Sequence, residues 1–207
     1  MTQSERNRAL YNAVKANHPG AIITKSYLRE EQILQNNKSQ YDYFFDAGVK
    51  PKTSERKISQ QDLFVANAIG LFLLREDKTK IGSGVLRTSV ASEFVDIAGI
   101  FNDTDLEAIY NGFISASVGQ TKIFDALDTF RFRKVNAEFT NPDSAGTVDL
   151  EPALELDGKQ KNKVTVEVPS WSGIQFAGDP ASTFEHKLVV VLYGFLITGA
   201  GTGLLRG

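Results

Sequence analysis

The chain has no cysteine in its 207 residues. That absence excludes disulfides, thiol catalysis and thiolate metal sites. Histidine is nearly missing as well. His18 and His186 lie far apart, each beside a turn or a strand start, and no Gly-x-Ser-x-Gly elbow accompanies them. A serine triad therefore has no visible parts, and both histidines read as surface or capping residues. Charge of one sign is lacking too: 23 Lys and Arg stand against 25 Asp and Glu, a formal net charge of -2. Such a balance argues against an electrostatic grip on nucleic acid as the main task. The clusters Lys50, Lys52, Arg56, Lys57 and Lys159, Lys161, Lys163 interleave with polar residues and read as solvated loops.

No apolar run is long enough to cross a membrane as a helix. The most apolar stretch is HKLVVVLYGFLITGAG, and its uncharged segment Leu188 to Ile197 has ten residues where a spanning helix needs about 20. Gly199, Gly201 and Gly203 imitate a nucleotide loop, but only Leu204 to Gly207 follow, too few for a phosphate-binding helix. Three consecutive valines favour a strand. The stretch is expected to be a central strand covered on both faces, with Tyr193 and Phe195 packing one of them. The N-terminal MTQSERNRALYNAVK lacks the apolar centre of a secretory signal.

What is present points to an all-β fold with a helical arm. Ser4 can cap a helix reaching about Val14, with Leu10, Ala13 and Val14 on one face and His18-Pro19-Gly20 as its stop. That stripe is thin, so the helix needs a partner surface, its own domain or a neighbour. Residues 1–40 are read as this arm, 41–198 as a β-sandwich opening on Tyr41-Asp42-Tyr43-Phe44-Phe45, and 199–207 as a glycine-rich tail. Further strands are expected near 63–74, 85–90, 94–100, 106–110, 113–118, 121–124, 129–135, 164–168 and 188–197. Turn signals such as Asn111-Gly112, Gly119-Gln120 and Asp157-Gly158 separate many of them. Asn111-Gly112 is the strongest hairpin cue. Phe130 and Phe132 alternate with Arg131 and Arg133, which predicts one core face and one wet face. The segment Asp103 to Glu107 could instead begin a one-turn helix, because Thr104 and Glu107 have capping-box spacing. The whole predicts an antiparallel β-sandwich, jelly-roll-like.

Candidate chemistry is sparse. Asp103, Asp105 and Glu107 lack the glycine and the distal glutamate of a calcium loop and read as solvated or capping groups. Glu151, Glu155, Asp157 and Glu167 read as outward faces of strands and turns. Trp171, in PSWSGIQF, either packs across the mouth of the core or stacks, exposed, on a sugar ring. No cofactor or metal is implied, and the chain reads as a non-enzyme.

The segments SYLREEQIL, YDYFF, SERKISQQDLFVANAIGLFL, YNGFISASVGQTKIFDALDTFRF and KLVVVLYGFLI, in that order, give the chain a texture. It resembles β-sandwich capsid proteins of tailless bacteriophages of Bacteroidetes-type hosts, which build icosahedral shells from jelly-roll subunits. A double jelly roll needs well over 250 residues, so the resemblance implies a single jelly roll with an arm. It also implies a virion protein, made in the bacterial host cytoplasm, whose partners are copies of itself and other virion proteins. Peripheral contact with an internal lipid layer is compatible with it. Contacts between subunits are expected at Leu10, Tyr11 and Val14 in the arm, Tyr27 and Leu28 after it, and Leu204 and Leu205 in the tail. A carbohydrate-binding or adhesion module using Trp171, and a phage tail or tube protein, are the alternative readings.

Overall fold

The computed structural model describes residues 3–45, 58–90, 94, 103–133, 146–171, 174–177 and 183–199. It opens with helix α1 (Gln3–Asn17), followed by β1 (Ile22–Ile33), β2 (Gln40–Phe44), β3 (Leu63–Asp77) and the two-residue β4 (Leu86–Arg87). A short helix α2 (Asp103–Glu107) runs into a 3-10 turn (Ala108–Asn111). Then come β5 (Phe113–Val118), β6 (Thr121–Asp128), a second 3-10 turn (Thr129–Phe132), β7 (Thr147–Asp157), β8 (Asn162–Glu167) and β9 (Phe184–Thr198).

The apolar run of the C-terminal strand fixes the architecture. A strand with no polar alternation must be buried on both faces, and β9 lies inside its sheet, between β1 and β3. Leu188, Val190 and Leu192 point into the main core, while Val189 and Val191 pack on the other face with Phe72 and Leu74 of β3. β7 pairs with the first half of β3 and β4 with two residues of its second half. The facing sheet has the order β2-β8-β5-β6, and every pairing is antiparallel. With β4 set aside, β1-β9-β3-β7 over β2-β8-β5-β6 is the strand order of a jelly roll, two Greek keys wound together.

The space between the sheets is filled with side chains. Tyr41 and Tyr43 of β2, Phe64 of β3 and Val166 of β8 are all fully buried there. A buried phenol usually finds a partner for its hydroxyl. Tyr43 donates across the sandwich to the Leu188 carbonyl at 3.1 Å, and Tyr41 donates to the Gln35 carbonyl at 3.2 Å. Burial pushes the Tyr43 hydroxyl well above its usual range.

α1 lies on the outer face of the β1-β9-β3-β7 sheet. Leu10 and Val14 pack on Val65 and Ile197, and Tyr11 tilts against Phe195 at 5.8 Å between centroids. Arg6 bridges Asp149 and Glu151 of β7, each at 3.1 Å. The thin apolar stripe thus finds its partner surface on its own domain.

Several sequence expectations need correction. The sandwich begins at Ile22, since β1 pairs with β9 over its whole length, so 1–40 is not an arm and 41 is not the sandwich boundary. β1 escapes notice because one of its faces is half wet, with Lys25, Arg29 and Glu31 among its side chains. β7 was also missed, because Pro152 interrupts the alternation of Val148 and Leu150 with Leu154 and Leu156. Residues 106–110 are helical, as the capping-box alternative had it, and 129–132 form a 3-10 turn. Three residues per turn separate Phe130 from Phe132, so Phe132 is buried while Phe130 is 59% exposed. Asn111-Gly112 makes no hairpin. Gly112 is extended, and it is required because a Cβ there would meet the Glu167 carbonyl oxygen at 2.0 Å. The reversal expected at Gly119-Gln120 does join β5 to β6, and the φ of 61° at Gly119 is left-handed. His186 is buried against Phe94 rather than at the surface, with Nδ1 3.2 Å from the Phe176 carbonyl. Of the strand expected at 94–100, only Phe94 lies among the described residues.

Val190 is fully buried in the main core. Val190→Asp should place an unpaired carboxylate there and destabilise the fold by more than about 4 kcal/mol. Circular dichroism should show loss of cooperative unfolding, and a native-like melt would contradict this placement of β9.

Candidate ligand site at the loop end of the sandwich

Strand register gathers four connections at one end. Ile33 pairs with Lys187 and Asp77 with Phe184, so the ends of β1 and β3 meet the start of β9. In the facing sheet Gln40, Glu167, Phe113 and Asp128 come level. The β1–β2, β3–β5, β6–β7 and β8–β9 connections therefore share this end. Hydrogen bonds tie them together. Asn36 accepts from the Phe176 and Ala177 amides at 2.8 and 2.9 Å and donates to Gln175 at 2.7 Å. Asp105 accepts from the Gln175 amide at 2.9 Å.

Thr129 locks the two 3-10 turns to each other. Its fully buried hydroxyl accepts from the Gly112 amide at 2.8 Å and donates to the Ile109 carbonyl at 2.9 Å. Asp128 caps the second turn by accepting from the Phe130 amide at 2.8 Å. Capping aims Phe132 inward and leaves Phe130 outward.

Between these turns and the β8–β9 connection lies a cleft of about 310 Å³. Trp171 and Phe130, 48% and 59% exposed, line it together with Asp105, Glu107, Tyr110 and Arg133. Arg133 donates to Glu107 at 2.8 Å. Tyr110 is almost wholly buried, and among the described residues its hydroxyl has no hydrogen-bond partner; neither has Arg133 Nε. Burial pushes the Tyr110 phenol far above its usual range, with the Arg133 charge opposing and the Glu107 charge adding. Beyond Phe130 a second cleft of about 760 Å³ runs past Arg6, Arg131, Thr147 and Asp149.

Trp171 therefore does not close the core. It stands half exposed beside a second aromatic ring that the sequence assigned to the interior. Tyr110 and Arg133 carried no signal of their own, although the capping-box spacing around Glu107 marked the local turn.

The expected contact residues divide differently. Leu28 belongs to the main core and Val14 is buried between α1 and its sheet, so neither has the exposed position expected of a contact residue. Leu10 and Tyr11 are partly spent on Val65, Ile197 and Phe195. Tyr27 faces outward on β1 and is 44% exposed. Leu204 and Leu205 lie outside the described residues.

A charged cluster lies on the outer face of the β1-β9-β3-β7 sheet. Lys187 is buried with Glu76, and also bridges Glu185 at 3.1 Å and Glu31 at 3.3 Å. Glu76 in turn accepts from the Gly82 amide. Burial alone would lower the Lys187 pKa, but bonds and charge from the three glutamates outweigh it and raise it above the ordinary 10.5. Among the described residues, no three His, Cys, Asp or Glu side chains form a group that could hold a metal ion, and no helix is long and apolar enough to cross a membrane.

Neither family models, curated proteins nor solved structures yield a match to this chain.

Lys187→Met should leave Glu31 and Glu76 without their central cation and cost about 3 kcal/mol in urea titrations at neutral pH. Because the folded pKa is raised, the lysine's contribution is whole below pH 10.5 and is lost as the pH rises beyond it. The stabilities of the two proteins should converge only in strong alkali. Equal stability at pH 7 would show that the cluster is inert.

Proposed function

We propose that the chain is a virion structural subunit, a single jelly roll that assembles with copies of itself into a shell. Jelly rolls serve as viral capsid and lectin domains among other roles, so the fold alone does not decide the matter. The interior is packed with side chains, which directs function to the surface. The observation that carries the reading is β1. It is a strand of 12 residues at the border of its sheet, paired among the described residues with β9 alone, and in unbroken register.

Sheet borders of this length are usually blunted by proline, a bulge, charged side chains or a cover, because their free amides and carbonyls recruit other chains. Within its 12 residues β1 has no proline and no bulge, and its blunting is limited to charged side chains. Ile22, Tyr27 and Ile33 stand exposed along it, and Lys25, Arg29, Glu30 and Glu31 balance in charge. A surface that is apolar in part and neutral overall suits a second copy of the same chain. Such a subunit would be made in the bacterial host cytoplasm and end in the virion.

Electron micrographs and light scattering of the purified full-length protein test the reading. Closed particles are expected, and rings or tubes would support the tail alternative. A protein that stays monomeric at micromolar concentration would contradict both and favour a free-standing binding module. Tyr27→Lys combined with Ile33→Lys should leave stability within about 0.5 kcal/mol while abolishing particles, since it sets like charges along the border.

A further inference from the structure

We propose that the loop-end cleft binds a neutral sugar ring, and that Trp171 and Phe130 provide the apolar surface on which the ring lies. This does not depend on the assembly reading, because the cleft is built within one chain.

The chemistry of the wall selects the ligand. Two large aromatic side chains stand half exposed at one cleft, at an energetic disadvantage in water that a packed ligand removes. A sugar presents an apolar C–H face to such rings and hydroxyls around its rim. The polar wall offers both kinds of partner those hydroxyls need. Asp105 and Glu107 accept, and Arg133 donates. The volume of about 310 Å³ is at the lower end for small-molecule sites.

Other ligand classes fit less well. A phosphate or carboxylate would meet two acidic side chains and one arginine already bonded to Glu107. A quaternary ammonium would gain from the rings and from the Asp105 and Glu107 carboxylates, but it carries no ring of hydroxyls to pair with the rest of the wall. It would also bring no acceptor for the unpartnered Arg133 Nε or partner for Tyr110 Oη. Both atoms are shielded behind the cleft wall, and a ligand hydroxyl reaches them through small side-chain movement or a bridging water. A hydroxyl-rich neutral ring answers every group in the wall. The site is also prearranged: Thr129, Asp128 and the Asp105–Gln175 bond hold its turns in place before any ligand arrives.

Trp171 is the single tryptophan of the chain, so its emission reports on this cleft alone. The full-length protein is titrated with the methyl glycosides of glucose, galactose, mannose and N-acetylglucosamine, and in parallel with choline and inorganic phosphate. A saturable change in emission is expected with at least one glycoside and with neither control. Phe130→Ala should weaken that response about tenfold with an unchanged melting temperature, because the ring is exposed. Tyr110→Phe removes one oxygen that has no protein partner among the described residues. It should weaken sugar binding several-fold while leaving the fold as stable or more so. The inference is overturned if no glycoside alters the emission or if only choline or phosphate does. It is equally overturned if either variant binds the sugar as tightly as the native protein.

Discussion

The pairing of β3 with β9 is the constraint on which the rest of the structure depends. Both strands are 15 residues long, and they stay in register from Leu63–Ile197 to Asp77–Phe184 apart from one bulge near Asn67. Each carries apolar side chains on both faces, so neither can lie at a wet border or face solvent. One face supplies the floor of the main core. The other must be covered as well, and the covering differs along its length. α1 lies over Val65 and Ile197, while the second half carries Phe72, Val189 and Val191 and then gives way to the Lys187 cluster. A two-faced strand pair thus accounts for the helix, whose own apolar stripe is too thin to fold alone.

The legibility of the sequence follows the same physics. β9 and the first part of β3 were plain, because continuous apolar runs bounded by turns leave few alternatives. β5 was plain as a short run between the turn signals Asn111-Gly112 and Gly119-Gln120. β1 was hidden because a border strand needs only a few buried residues, and Leu28 among polar neighbours gives no period. Phe130 misled because alternation with Arg131 and Phe132 is the signature of a strand, whereas Asp128 capping the turn decides the geometry locally. The candidate site shared that fate. Its members come from three separate connections, and Tyr110, Phe130, Arg133 and Trp171 meet only when the turns are stacked by Thr129. No linear spacing records that meeting.

The two surfaces proposed to act are separated by topology. The free border of β1 runs along the side of one sheet, and the cleft sits where the connections converge at the end of the sandwich. Contact along the border uses none of the residues that line the cleft, so assembly and ligand binding need not compete. The packed interior supports this division, since Tyr41, Tyr43 and Phe64 fill the space in which other sandwiches of this shape hold a ligand.

Hydrogen exchange on the assembled and dissociated protein tests the central claim most directly. Residues 188–192 of β9 should exchange only with global unfolding in both states, as expected for the most deeply buried strand. The alternate amides of β1 that point away from β9 should exchange freely in the monomer and become protected on assembly. Equal exchange of those β1 amides in the two states, or fast exchange across Leu188 to Leu192, would contradict the account.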